Sequence, residues 1–287
     1  MALQFTPLHP RFVAESGSIA LRGVDDTAVL DAIRDAMNEY AVVVFRDQAF
    51  EDDEQLAFAR RFDGTLHEKT GSRVIAASRL GNEALTDVSN VAAGGGLLAQ
   101  DDRRRLYSLA NRLWHTDASF ESPPGRYSLL HARVVPPNGP ATEFADMRAA
   151  YDALDDRTKE RIEGLEVHHS IAYSRSTLGF EFTTEEAEIL WGAIQPLVRR
   201  FPSRDRRSLY LASHASRILG WSLPEGRLLL RELMEHATQR EFVYAHEWRA
   251  GDLVIYDNRA TMHRARPFDD GVHRRELRRV TTLDVDG

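Results

Sequence analysis

Gly251-Asp252-Leu253-Val254-Ile255-Tyr256-Asp257-Asn258-Arg259 reads as a buried β-strand that ends in a turn. Four apolar residues run together, and Asp257-Asn258 then supplies the short polar side chains that stop a strand. Segments of the same kind recur around it: Tyr127–Val135 closed by Pro136-Pro137-Asn138-Gly139, Ser208–Ala212, Phe242–Trp248 and Arg275–Leu283. Strands scattered at this density over the second half of the chain predict a barrel or jelly roll. One helix interrupts them, because Ser222-Leu223-Pro224-Glu225 has the form of a capping box with proline in the first turn, followed by Leu229, Leu233, Met234 and Ala237.

Further out, towards the N-terminus, Leu30, Ile33 and Met37 recur at helical spacing and run into Ala41-Val42-Val43-Val44-Phe45, so Asp25 to Arg46 predicts a helix followed by a buried strand. A second helix is expected from Asp53 to Phe62, with Phe58 and Phe62 one turn apart on its inner face. Between residues 66 and 110 the periodicity fades. The segment carries Gly94-Gly95-Gly96 and the charged run Asp101-Asp102-Arg103-Arg104-Arg105, and a loop of this length predicts a cover over an active site. The triglycine is no phosphate loop, since no Gly-Lys-Ser/Thr follows. No internal repeat is present, and the 287 residues are expected to form a single domain, 1–287.

Composition narrows the chemistry. A net charge of -7 gives no general attraction for phosphate backbones or anionic lipid, so neither nucleic acid nor a membrane is an expected partner. With no cysteine there is no disulfide framework, no thiolate metal site and no cysteine nucleophile. The first residues lack the basic flank and apolar run of a secretory signal, which with the missing cysteines predicts a cytoplasmic protein. A homo-oligomer is the expected assembly.

Histidine and carboxylate remain as metal ligands. Among 11 histidines the spacing His-x-Asp/Glu occurs once, at His115-Thr116-Asp117. Residues two apart in a strand share a face, so this imidazole and this carboxylate can reach one ion. A second histidine would complete a facial triad, which leaves three positions open on the metal for a chelating co-substrate and dioxygen. On spacing alone both His263, beyond the Gly251–Asn258 strand and turn, and His246, on the Phe242–Trp248 strand, qualify.

The blocks Asn111-Arg112-Leu113-Trp114-His115-Thr116-Asp117, Thr142–Asp152, His236–Tyr244 and Arg274–Thr282 resemble the 2,4-dichlorophenoxyacetate/2-oxoglutarate dioxygenases, within the taurine dioxygenase family. The likeness spans nearly the whole chain, and the last two blocks resemble the herbicide-degrading branch. The resemblance implies a mainly β fold with flanking helices, a double-stranded β-helix or cupin-like jelly roll. It implies Fe(II), 2-oxoglutarate and dioxygen, and it identifies the second histidine as His263, because the family's Asp-Asn-Arg element matches Asp257-Asn258-Arg259.

Resemblance also supplies the anchors. An arginine forks onto the far carboxylate of 2-oxoglutarate with two charge-assisted bonds. In an extended strand Arg275 and Arg279 share one face and Arg274 and Arg278 the other, so only one pair looks inward. The family spacing of arginine, three residues, arginine, a small residue and threonine selects Arg275 for 2-oxoglutarate, with the Thr142 hydroxyl, and Arg279 for the substrate acid; a slip of one residue would substitute Arg274 and Arg278. Asn111 and His214 match substrate-contacting positions. Lys69 and Arg73 stay outside the site, as charges in the covering segment. The implied reaction hydroxylates the carbon beside the ether oxygen of a small anionic aryloxyalkanoate, giving a phenol and glyoxylate with succinate and carbon dioxide. The same anchors would serve an alkylsulfonate, a sulfate ester or another aryl acid, and a cupin-like binding protein without catalysis is the alternative of a different class.

Overall fold

The computed structural model describes residues 3–68, 79–137, 139–201 and 205–285; Lys69, Arg73 and Asn138 lie outside these. The fold is mainly β with flanking helices. Its strands in chain order are β1 (Phe5–Pro7), β2 (Ala14–Ser16), β3 (Val42–Phe45), β4 (Leu85–Ser89), β5 (Gly125–Val134), β6 (Thr142–Asp146), β7 (Glu166–His169), β8 (Ala193–Pro196), β9 (Val198–Phe201), β10 (Arg206–Leu209), β11 (Ala215–Ile218), β12 (Val243–His246), β13 (Leu253–Asp257), β14 (Thr261–Ala265) and β15 (Glu276–Leu283). They build a large sheet ordered β1-β2-β3-β13-β5-β15-β4, a second sheet β12-β6-β14, a third β11-β7-β8, and the pair β10-β9.

Leu253–Asp257 lies at the centre of the large sheet, where β13 pairs antiparallel with both β3 and β5. Alternation sorts its side chains. Leu253 and Ile255 join the core under the N-terminal helices, whereas Val254 and Tyr256 join the core between the sheets with Phe144 of β6. A strand buried on both faces needs an unbroken apolar run, which Leu253–Tyr256 is.

Helix α1 (Thr27–Tyr40) starts where Asp26 Oδ1 accepts the Ala28 N–H at 2.9 Å, and it buries Leu30, Ile33, Ala36 and Met37. It stops at Ala41, whose left-handed φ of 61° turns the chain directly into β3. Helix α2 (Asp52–Asp63) carries Asp52, Asp53 and Glu54 in its first turn and Arg60 and Arg61 in its last, the order the helix dipole favours. Phe58 and Phe62 stack on its inner face with centroids 6.1 Å apart. The helix Leu223–Ala237 is capped by Ser222 as expected, with one difference: the Glu225 carboxylate accepts from the Ser222 hydroxyl rather than from its backbone N–H.

The described parts of the segment 66–110, residues 66–68 and 79–110, are more ordered than the lost periodicity predicts. Leu85–Ser89 pairs with β15, and Arg103–Ser108 and Leu109–Arg112 form a short α-helix and a 3-10 helix. β4 is an edge strand, Leu85-Thr86-Asp87-Val88-Ser89, in which a buried Leu85 is followed by half-buried and mostly polar residues, so neither an apolar run nor a clean alternation reveals it. Among the described residues no helix is long and apolar enough to cross a membrane.

Candidate metal centre

His115 precedes β5, and His263 lies at the middle of β14. The two form an isolated antiparallel bridge: the His115 N–H donates to the His263 carbonyl at 3.0 Å, and the His263 N–H returns a bond of 2.8 Å. Backbone pairing therefore sets the imidazoles side by side, with ring centroids 4.2 Å apart. Asp117 closes the group, its Oδ1 lying 4.0 Å from His115 Nε2 and its Oδ2 3.7 Å from His263 Nε2. All three side chains are buried, and their ligand atoms lie within 4.8 Å of one another. His246 is elsewhere, paired with Asp252 at 3.1 Å.

Asn258 explains why the His-x-Asp segment holds its shape. Its Oδ1 accepts the Asp117 N–H at 3.1 Å, its Nδ2 donates to Ser128 Oγ at 2.9 Å, and its carbonyl accepts from the Thr116 hydroxyl at 3.0 Å. Gly125 faces the same segment; a Cβ there would lie 2.9 Å from the Asp117 carbonyl oxygen and 2.9 Å from Thr281 Cγ2.

The electrostatics suit a cation. Burial alone would raise the Asp117 carboxyl, but Arg279, the two imidazoles and the Tyr256 hydroxyl outweigh it and hold the group ionised, well below the usual carboxylate range. Oδ2 accepts from Ser128 at 2.8 Å and Tyr256 at 2.7 Å, and Oδ1 accepts from Arg279 Nη1. Burial pushes His115 down to about 4 and His263 well below its ordinary value, so both imidazoles are neutral. With the His115 Nδ1–H donated to the Leu113 carbonyl at 2.8 Å, its Nε2 lone pair is free. Two neutral imidazoles and one carboxylate, without a thiolate, are the donor set of a facial Fe(II) site.

The four C-terminal arginines separate by parity. Arg279 shares the inner face of β15 with Leu277, which packs between the sheets, whereas Arg278 lies on the opposite face with Val280, near Asp52 of α2. Arg278 is bound to Glu276 and Asp87, and Arg274 to Glu276. Arg275 is 7% exposed and has no acidic partner among the described residues. Its backbone N–H bonds Asn90 Oδ1 at 2.9 Å, its Nε bonds nothing, and burial pulls its pKa down to about 10. It lines a cavity of about 110 Å³ with Asn111 and Ala265. Ala265 faces Thr142 across the β14–β6 ladder. The Thr142 oxygen accepts the Trp248 indole N–H at 2.9 Å, which leaves its own O–H to donate.

Both ring nitrogens of His214 are engaged, Nδ1 with Ser119 Oγ and Nε2 with Arg175 Nη1, each at 3.2 Å. Asn111 Oδ1 accepts from Arg175 Nη2 at 3.3 Å. Ser128 and Tyr256 lie in segments read correctly as strands, but nothing in their spacing marks them as donors to a carboxylate. Arg175, in the short helix Ile171–Ser176, belongs to no motif.

The family model for the taurine catabolism dioxygenase TauD, TfdA family matches residues 4–281. The alpha-ketoglutarate-dependent 2,4-dichlorophenoxyacetate dioxygenase of Cupriavidus pinatubonensis is 44% identical over 288 residues, 99% of each chain. The (S)-phenoxypropionate/alpha-ketoglutarate-dioxygenase of Sphingobium herbicidovorans is 35% identical over 93% of this chain and 91% of its own. The crystal structure of AAD-2 in complex with Mn(II) and N-oxalylglycine superposes with a TM-score of 0.93 at 47% identity, covering 99% of this chain and 98% of the other. With sequence, fold and donor set in agreement from end to end, this chain belongs to the TauD, TfdA family of dioxygenases.

Proposed function

We propose that this chain is an Fe(II)- and 2-oxoglutarate-dependent dioxygenase that hydroxylates the carbon between the carboxylate and the ether oxygen of an aryloxyacetate. The observation that carries it is a buried His-Asp-His donor set, together with the buried Arg275 guanidinium that has no acidic partner among the described residues, in a chain 44% identical throughout to a 2,4-dichlorophenoxyacetate dioxygenase. In this reading the large sheet and the β12-β6-β14 sheet are the two halves of a double-stranded β-helix, and the chain is one catalytic domain with residues 66–110 over its mouth. A cytoplasmic setting belongs to the same reading, since ferrous iron persists in a reducing compartment.

His115, Asp117 and His263 would hold the metal. When bound, ferrous iron with 2-oxoglutarate supplies the oxidising chemistry, in which dioxygen and 2-oxoglutarate become succinate and carbon dioxide as a substrate C–H bond is hydroxylated. Ser128 and Tyr256 fix the Asp117 carboxylate by donating to Oδ2. Arg275 and the Thr142 hydroxyl receive the far carboxylate of 2-oxoglutarate. Arg279, Asn111 and His214 surround the substrate acid. A wall of Tyr107, Phe120, Phe180 and Phe182 stands beside them, with Phe120 edge-on to His214 at 4.9 Å and Phe180 edge-on to Tyr107 at 5.7 Å, and it excludes water where an aryl ring would lie. The hydroxylated product is a hemiacetal, which collapses to a phenol and glyoxylate.

The test is a substrate panel: 2,4-dichlorophenoxyacetate, its carboxamide, taurine and an alkyl sulfate. The acid should turn over and the amide largely fail, because the neutral group leaves a buried guanidinium poorly paired. Efficient conversion of taurine or the alkyl sulfate, with no phenol from any aryloxyacetate, would overturn the substrate class.

A further inference from the structure

Arg175 is 5% exposed, and its guanidinium has no carboxylate partner among the described residues. Nη1 donates to Ser174 Oγ at 2.8 Å and to His214 Nε2 at 3.2 Å, Nη2 donates to Asn111 Oδ1 at 3.3 Å, and Nε is buried with no partner. The Tyr107 ring lies 4.6 Å from its Cζ. That contact offsets part of the cost of burying the cation but brings no negative charge.

The contact with His214 decides a tautomer. A guanidinium has no acceptor, so Nε2 of His214 must accept, and the ring proton then sits on Nδ1. There it meets the oxygen of Ser119, which is fully buried and is bonded in turn to His169 Nδ1 at 2.9 Å. Burial and the adjacent Arg175 charge keep His214 neutral. A neutral imidazole with both nitrogens engaged has no N–H left for a substrate acid. Its lone pair points at Arg175 instead.

Among the described residues the Nε–H of Arg175 and the second hydrogen of its Nη2 meet no acceptor other than the weakly placed Tyr107 hydroxyl, and they form the paired edge with which a guanidinium grips a carboxylate. Arg175 lies close enough to the cluster to interact electrostatically with His115, Asp117 and Arg279, and the His214 ring it holds is 6.1 Å from that of His115. Arg279 already gives one donor to Asp117.

We propose that Arg175 is a second guanidinium of the substrate-acid site, sharing one carboxylate with Arg279, and that His214 is a positioning residue that holds Arg175 by accepting from Nη1. The assignment rests on the aryloxyacetate reading above. It places His214 one bond away from the acid it was expected to touch.

The test is calorimetric titration of the full chain, loaded with Mn(II) and the inert N-oxalylglycine, with 2,4-dichlorophenoxyacetate and with its carboxamide. Arg175→Gln should weaken binding of the acid by at least about tenfold and leave the amide unchanged, while N-oxalylglycine binding, which reports an intact fold, stays as in wild type. His214→Leu should weaken the acid alone, yet add little in an Arg175→Gln background, because both changes remove one interaction. An additive loss would mean that His214 touches the acid itself and would overturn its positioning role. Unchanged affinity for the acid in Arg175→Gln would overturn the role of Arg175. Should that variant not fold, Arg175→Lys keeps the charge and loses the fork; a partial loss supports the proposal and none overturns it. A wild-type protein that binds no aryloxyacetate counts instead against the substrate reading, and this assignment falls with it.

Discussion

Asp117 meets five groups at once: two imidazoles, the hydroxyls of Ser128 and Tyr256, and the Arg279 guanidinium. Replacing His115, Asp117 or His263 by alanine should abolish Fe(II)-dependent turnover, whereas His246→Ala, which breaks a pair with Asp252 and a ring contact with Trp248 away from the triad, should keep measurable activity; turnover by His263→Ala would remove it from the metal. Tyr256→Phe deletes the hydroxyl that donates to Asp117 Oδ2 at 2.7 Å and lies 3.5 Å from His263 Nε2, and leaves the ring in place, so Fe(II) affinity should fall by about 10–100-fold with the fold intact, as an equilibrium metal titration would show. Arg275→Ala should raise the apparent KM for 2-oxoglutarate far more than that for substrate, since removing one partner of a buried charge pair costs on the order of 2–5 kcal/mol. Arg274→Ala should change neither, because that side chain is half exposed and bound to Glu276; the reverse pattern would shift the arginine register by one.

Elements carry these residues to one place, and some do so through a single contact. Ser222→Ala removes the cap of helix Leu223–Ala237 and should cost about 1 kcal/mol in chemical denaturation, without touching KM. Gly125→Ala acts differently, because β5 begins against the Asp117 carbonyl and the added Cβ must displace one or the other. Its expected signature is weaker Fe(II) binding together with a lower Tm, since overpacking a buried site typically costs about 1–3 kcal/mol. Much at this scale was legible in the sequence. The strands Tyr127–Val135, Gly251–Tyr256 and Arg275–Leu283 emerge within a residue or two, since each is an apolar or alternating run closed by turn residues. β4 was hidden by its mixed polar composition and is specified by its partner β15. The His115–His263 bridge could not be read at all from spacing, which left His246 as a rival until the Asp257-Asn258-Arg259 resemblance removed it. Arg175 and the tautomer of His214 depend on packing between distant segments, which no local pattern encodes.

At the scale of the whole molecule, the buried histidines tie stability to pH. Burial lowers His115 and His131 to about 4 and His169 to about 3, and drives His214 and His263 well below their ordinary value. In the unfolded chain each takes up its proton near pH 6.5. Below that the unfolded state binds more protons than the folded one, so each such group removes up to about 1.4 kcal/mol of stability per pH unit until its folded value is reached. The Tm of the metal-free protein should thus be level above about pH 7 and fall steeply from about pH 6.5 to 4. A level Tm across that interval would mean that these imidazoles are more accessible than their burial implies. Added Fe(II) should raise the Tm by a similar amount from neutral pH down to about pH 5, because burial keeps both imidazoles neutral and Asp117 ionised in the folded protein over that range. The central claim, that one buried donor set couples 2-oxoglutarate decarboxylation to attack on an aryloxyacetate, is tested most directly by the stoichiometry of products. Purified protein given Fe(II), 2-oxoglutarate, dioxygen and 2,4-dichlorophenoxyacetate should release succinate and phenol in equal amounts, and lose both when a chelator removes the metal. Succinate without phenol, or phenol that persists without Fe(II) or 2-oxoglutarate, would contradict it.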